Sequence, residues 1–214
     1  MGKRKVSNPL ALAVLGLLGE RPMHPYEMAT TLRARAKEES IKLNYGSLYS
    51  VVESLVRHDL IEASETVRDG RRPERTVYAI TERGRTEFAD WLSELISVPV
   101  KEFTQFEAAL SMLPGLPPDV VADLLRLRVH RLGMEVDAGE SALRRTAESG
   151  LPRLFSIEFE YRLNQLTAEL RFVEALLAEV ADGRMDGYET WRVIHETGEI
   201  PSDTELVARI RDQR

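Results

Sequence analysis

Two short stretches of this chain carry side chains that could grip an anion. In the first, Arg68, Arg71, Arg72 and Arg75 fall within eight residues, around an Asp69-Gly70 turn signal and Pro73. Guanidinium groups crowded on one tight loop suit phosphate oxygens, which their fork meets bidentately, or a narrow groove of negative potential. The second is LNYGSLYSVVESLVRHDLIE, residues 43 to 62. Leu48, Val51, Val52 and Leu55 recur at helical spacing and must face a core, which turns Ser47, Ser50, Glu53, Ser54 and Arg57 outward. A helix start that approaches a phosphate backbone benefits from small residues, because its N–H groups must come close to the anion. Gly46 supplies clearance, Ser47 and Ser50 supply hydroxyls, and Tyr49 a phenol with longer reach. Read alone, the serines suit a solvated face equally well, and the Tyr49 ring suits a core contact with its hydroxyl outside.

Other chemistries find no such grouping. The four histidines, His24, His58, His130 and His195, lie far apart with no metal-ligand spacing. The absence of cysteine excludes disulfides, thiolate metal sites and cysteine catalysis, and fits a reducing compartment. Nucleophile-elbow, P-loop and dinucleotide fingerprints are absent, and the carboxylate pairs Glu38-Glu39 and Glu158 with Glu160 stand in solvated contexts. No catalytic residue, metal or cofactor is expected, and the chain reads as a non-enzyme.

The elements that must position these groups follow from periodicity. A first helix is predicted from about 9 to 19, with Leu10, Val14, Leu17 and Leu18 as its stripe and Asn8-Pro9 as its start. A second begins at His24-Pro25 and runs to about Ala36, with Met28 and Leu32 inward. The stretch quoted above is the third. Residues 60–68 and 75–80 read as two strands of a hairpin, and Thr81 caps a fourth helix whose apolar face is Phe88, Trp91, Leu92 and Leu95. Phe88 and Trp91 are residues of a candidate ligand pocket, although their spacing equally suits core or a dimer seam. The result is a mainly α chain: a winged helix-turn-helix of three helices and a two-stranded wing over residues 1–96, joined to a helical domain over 97–214. In such a fold the helix after the turn enters the DNA major groove and the hairpin reaches the flanking backbone.

In the second half, Val121, Leu125, Val129, Leu132 and Val136 line a long helix. Phe159, Leu163, Leu166, Leu170, Val173, Leu177 and Val180 then make an a/d seam over about three heptads. Such a seam wants a partner helix, in the same chain or a second copy, and self-association is the expectation. From about residue 183 the chain is weakly patterned, with one short helix expected near Thr204 to Arg211 and no role evident for Trp191.

Charge is uneven. Of a net −6, residues 1 to 90 hold +2 and the remainder −8. Only the local field at a contact face matters, so an acidic chain with a mildly basic first half is compatible with nucleic acid. Lys3, Arg4 and Lys5 before a ten-residue apolar run mimic a signal peptide, but no cleavage site follows, and the run is shorter than the roughly 20 residues a membrane span takes. The three charges read as a DNA-seeking arm or a solubilising tail, and the protein is expected to be cytoplasmic, with no membrane partner.

The ordered set Leu12-Ala13-Val14-Leu15-Gly16-Leu17-Leu18, Pro25-Tyr26-Glu27, Gly46-Ser47-Leu48-Tyr49, Leu55, Leu60-Ile61, Gly70-Arg71-Arg72-Pro73 and Tyr78-x-Ile80-Thr81-Glu82-x-Gly84 resembles the PadR family of transcriptional regulators. The stretch Leu154 to Tyr161, with the helix after it, resembles the C-terminal helical domain of longer members. Two departures stand out: Pro25 replaces the usual glycine before the Tyr-Glu pair, and the wing carries one extra arginine. The resemblance implies a homodimeric repressor on a palindromic double-stranded DNA operator, released by a small-molecule effector. DNA contacts are then expected from Tyr26, Asn44, Tyr45, Gly46, Ser47, Tyr49 and Ser50, and from Arg71, Arg72 and Arg75 of the wing. Dimerisation is expected through Phe159, Leu163, Leu166, Leu170, Val173 and Leu177. The competing reading is a winged-helix protein-interaction module without sequence-specific DNA binding.

Overall fold

Each helix of the first half starts where a polar side chain can take a free backbone N–H. In the computed structural model, which describes residues 6–67 and 75–198, Asn8 accepts from Leu10 N at 2.9 Å to open α1 (Pro9–Glu20). His24 Nδ1 accepts from Tyr26 N at 3.1 Å to open α2 (Pro25–Ala34). Asn44 opens α3 (Tyr45–Arg57), and Thr81 opens α4 (Glu82–Ser97). Proline at the first position of α1 and α2 costs nothing, because its missing N–H has no intrahelical partner there. That is why Pro25 is compatible with this helix start. After Ala34 the chain turns through Ala36 in the left-handed region (φ 53°) and a short 3-10 turn, Lys37–Glu39, so α2 ends two residues before the predicted Ala36.

β1 (Ile61–Val67) and β2 (Arg75–Ile80) form an antiparallel pair, with Ile61 opposite Ile80 at the buried root and a bulge between Ala63 and Glu65. On the other edge of β2, Met23 and Tyr78 exchange both backbone hydrogen bonds at 3.0 Å. The wing is thus rooted to the segment entering α2. Its tip, with Arg68, Arg71 and Arg72, lies outside the described residues, and of Arg75 only the backbone is described.

The chain divides into two compact units, Met1–Lys101 and Glu102–Arg214. The core of the first is built on α1, where Leu10, Val14, Leu15 and Leu18 are at most 1% exposed. Met28 and Leu32 of α2, Leu48, Val52 and Leu55 of α3, Ile61, Ile80 and Trp91 close around it. The apolar run that mimicked a signal sequence is therefore the central helix of this core. Phe88 lies over Gly16, where an added Cβ would meet its ring at 3.3 Å, and this close approach joins α1 and α4. Trp91 is 4% exposed.

The second unit holds α5 (Gln105–Ser111), α6 (Pro118–Glu148), α7 (Ile157–Ala181) and α8 (Tyr188–Thr197). α6 and α7 form an antiparallel hairpin: Leu163 sits against Gly139 near its tip, and Val173 and Val180 pack with Val121, Leu125 and Leu132 toward its base. The seam expected to meet a second copy faces a helix of its own chain. Val173 is buried in the core shared with α6 of the same chain, Leu163, Leu166, Leu170 and Leu177 are partly buried against it, and Phe159 is half-buried at the start of α7. A heptad seam specifies a helix partner but not its chain, and the turn after α6 supplies one at far lower entropic cost than a second molecule.

The weakly patterned tail needs correction. Residues 188–197 are helical, and Trp191 is 7% exposed in the core of this unit, with its Nε1 donating to Leu116 O at 2.8 Å. His195 Nε2 lies 2.9 Å from Pro114 O, so two side chains of α8 hold the Leu113–Gly115 turn and the Leu116 that ends it. The helix expected near Thr204 to Arg211 lies outside the described residues. Among the described residues, no helix is long and apolar enough to cross a membrane.

Candidate nucleic-acid interface

The start of α3 is open to solvent, and its donors are only partly used. Asn44 Oδ1 accepts from Ser47 N at 2.7 Å. A helix start leaves its first N–H groups without intrahelical partners, so those of Tyr45 and Gly46 remain for a ligand. The cap uses the acceptor half of the Asn44 amide, and its NH₂ half is what Asn44 can offer a phosphate. A Cβ added to Gly46 would meet only Asn44 Oδ1, at 3.7 Å, so nothing in the fold requires glycine there. Ser50 Oγ donates to Gly46 O at 3.1 Å. Three phenols flank this helix start: Tyr26 is 55% exposed, Tyr45 41% and Tyr49 47%. The rings of Tyr26 and Tyr45 stack with centroids 6.3 Å apart and planes 10° from parallel.

The fold thus brings Tyr26, Asn44, Tyr45, Gly46, Ser47, Tyr49 and Ser50 to adjoining helix starts on α2 and α3. Arg71 and Arg72 fall outside the described residues. Phe88 and Trp91 belong to the core of the N-terminal unit. Arg33 is a residue that periodicity alone passed over. Its Nη1 donates to Tyr45 Oη at 2.7 Å, its Cζ lies 4.5 Å from the Tyr45 ring centroid, and its Nε is 3.6 Å from Glu38 Oε2. One signal for it was available: Arg33 stands seven residues after Tyr26, two turns along the same face of α2.

Ion pairs edge the same unit. Arg35 clasps Glu20 through two hydrogen bonds, and Arg21 pairs with Glu27. The Arg35 guanidinium holds the Glu20 carboxyl below its usual range, and Arg21 does the same for Glu27. In the C-terminal unit a groove of about 430 Å³ runs between α5 and α6, lined by Phe106, Met112, Leu116, Leu124, Leu127 and Arg128 among others. Arg128 stacks on Phe106 with its Cζ 3.7 Å from the ring centroid and pairs with Glu169.

Three comparisons bear on this geometry. No curated protein matches the chain. Among solved structures, Bacillus subtilis PadR in complex with operator DNA superposes with a TM-score of 0.67 at 17% identity, covering 81% of this chain and 99% of that one. The same protein in complex with p-coumaric acid gives 0.66 at 15%, covering 80% and 98%. The Vibrio cholerae virulence activator AphA gives 0.61 at 17%, covering 81% and 98%. At these identities the likeness speaks for the fold. Residues 14–90, from α1 to the middle of α4, match the Transcriptional regulator PadR-like family. The chain carries a PadR-like transcriptional regulator domain, a winged helix whose third helix begins at the open Tyr45-Gly46-Ser47 turn.

Proposed function

We propose that this protein is a sequence-specific DNA-binding transcriptional regulator, acting as a homodimer on a palindromic operator and most readily as a repressor relieved by a small molecule. The observation that carries the reading is the start of α3, where free N–H groups, a glycine with open space around it and three exposed phenols converge. Those groups suit phosphates that fix the register of the helix, while side chains further along α3 meet base edges. The PadR-like domain and the likeness to a structure solved on operator DNA support it.

Because the α7 seam is occupied by α6, the dimer contact is assigned to another surface. α6 carries a second apolar stripe, with Val120, Leu124, Leu127 and Met134 from 39% to 62% exposed, beside its core-facing residues Val121, Leu125 and Leu132. A homodimer on a palindromic operator would read half-sites about 34 Å apart, or a multiple of that turn, with its two α3 helices. The effector is assigned to the C-terminal groove, which shares Leu124 and Leu127 with this stripe and so borders the dimer contact, and whose size and apolar lining suit a small aromatic molecule of the class bound by the similar protein.

The test is fluorescence anisotropy of the full chain on the DNA upstream of its own coding region, with a scrambled duplex beside it, at two salt concentrations. A clear preference over the scramble with a steep salt slope supports the reading. Equal, weak binding to both duplexes, and no fragment retained from a genomic selection, would overturn it.

A further inference from the structure

We propose that Arg33 is a positioning residue for DNA binding: it presents the Tyr45 hydroxyl, with its proton outward, to a backbone phosphate. The inference rests on the DNA-binding reading above and adds a residue to it.

An exposed tyrosine at a helix start ordinarily samples several rotamers, and ordering it on binding costs affinity. Tyr45 is held on both sides before any ligand arrives. Tyr26 stacks on one part of its ring, with planes 10° from parallel. The guanidinium of Arg33 reaches both the ring, at 4.5 Å, and the oxygen, at 2.7 Å. Glu38, 3.6 Å from Arg33 Nε, holds that guanidinium in turn.

The direction of the hydrogen bond has a chemical consequence. A guanidinium has donors and no acceptor, so the Tyr45 oxygen must accept from Arg33. The phenolic proton is then free to point elsewhere. A charge-assisted bond to the oxygen also polarises the O–H and makes it a better donor. Arg33 itself is spent on Tyr45 and Glu38, so its own charge is not the contact.

The experiment uses the full chain and two duplexes, one selected by the wild-type protein from random fragments and one scrambled. Affinities are measured across a salt series for wild type, Arg33→Ala, Arg33→Lys, Tyr45→Phe, Glu38→Ala and the Arg33→Ala/Tyr45→Phe double variant. Circular dichroism melts check that each variant folds, which the surface position of Arg33 favours. Positioning predicts that Arg33→Ala and Tyr45→Phe each weaken binding about three- to tenfold, and that the double variant is no weaker than the worse single. It predicts an unchanged salt slope and no rescue by lysine, which lacks a planar face to lie over the ring. Glu38→Ala removes a negative charge and would tighten binding if charge alone mattered; positioning predicts that it weakens it. The proposal is overturned if Arg33→Ala lowers the salt slope by about one, lysine restores it and the two substitutions multiply, because Arg33 would then be the phosphate contact itself. It is equally overturned if Arg33→Ala changes nothing. Failure of the DNA reading shows differently, as wild-type protein that does not prefer its selected duplex over the scramble.

Discussion

Two helix starts in the N-terminal unit share a side-chain cap and a first-turn glycine and sit in opposite surroundings. α3 begins Asn44-Tyr45-Gly46-Ser47 and α4 begins Thr81-Glu82-Arg83-Gly84. In each, the cap side chain accepts from the N–H three residues on, at 2.7 Å from Ser47 and 3.0 Å from Gly84. In each, a glycine lies in the first turn. At Gly46 an added Cβ would meet only Asn44 Oδ1, at an ordinary contact distance of 3.7 Å. At Gly84 an added Cβ would sit 2.0 Å from Leu60 O and 2.8 Å from an Ile80 carbon. Thr81 is doubly tied there, its hydroxyl donating to Asp59 O at 2.7 Å and its N–H to Leu60 O at 3.1 Å. One helix start is pressed into the fold, and the other is kept clear of it. A glycine the fold does not need, beside donors the fold does not use, is what the proposed DNA contact requires of this helix start.

The largest effect expected is from Gly84→Ala. A backbone carbonyl cannot yield by an ångström without parting α4 from the end of α3, so the loss should be about 3 kcal/mol or more in denaturant unfolding. An unchanged midpoint would break the contrast at once. Gly46→Ala should do the reverse. Stability should hold or rise by up to about 1 kcal/mol, because alanine is the better helix former, while operator affinity falls at least tenfold. Equal affinity would mean that no backbone approaches Gly46.

The two caps sharpen the comparison further. Thr81→Ala should cost about 1–2 kcal/mol and leave the affinity of the folded protein intact. Asn44→Ala should cost about 1 kcal/mol or less and lower affinity as well. Parallel melts and anisotropy titrations of both variants separate the two roles.

The smallest expected effect concerns pH. The folded Glu20 carboxyl is held below its unfolded value by Arg35. Its stabilising contribution is therefore complete above the unfolded pKa, about 4.3, and is lost as pH falls through the lower folded value. Both side chains are about half exposed, so the contribution should stay under about 1 kcal/mol. Melts of wild type and Glu20→Gln should converge at acidic pH and differ slightly at neutral pH. A difference that grows on acidification would reverse the sign assigned to this pair.

Much of the fold was legible because its determinants are local. Caps at Asn8 and Thr81 and prolines at the first positions of α1 and α2 act within four residues of themselves. α8 was missed although Gly187 and Gly198, both at positive φ, bracket it. Its apolar spacing, Tyr188 then Trp191, is too brief to stand out from a loop. What Trp191 does depends on Leu116, which is 75 residues away. The turn after α3 shows the same limit. Asp59, rather than glycine, takes the left-handed position at φ 59°, with Leu60 N bonded to Leu55 O, so no residue type announced that C-cap.

By itself, the sequence determined most of the helices and both strands, which faces are apolar, and that a helix with a small-residue start precedes an arginine-rich segment. Those properties follow from periodicity, capping and charge, which are set by near neighbours in the chain. The tertiary structure alone decided that α7 spends its seam on α6, that Gly84 is enclosed while Gly46 is open, and that Arg33 reaches Tyr45. Each of these depends on which distant atoms fill the space beside a residue, and no spacing along the chain encodes that.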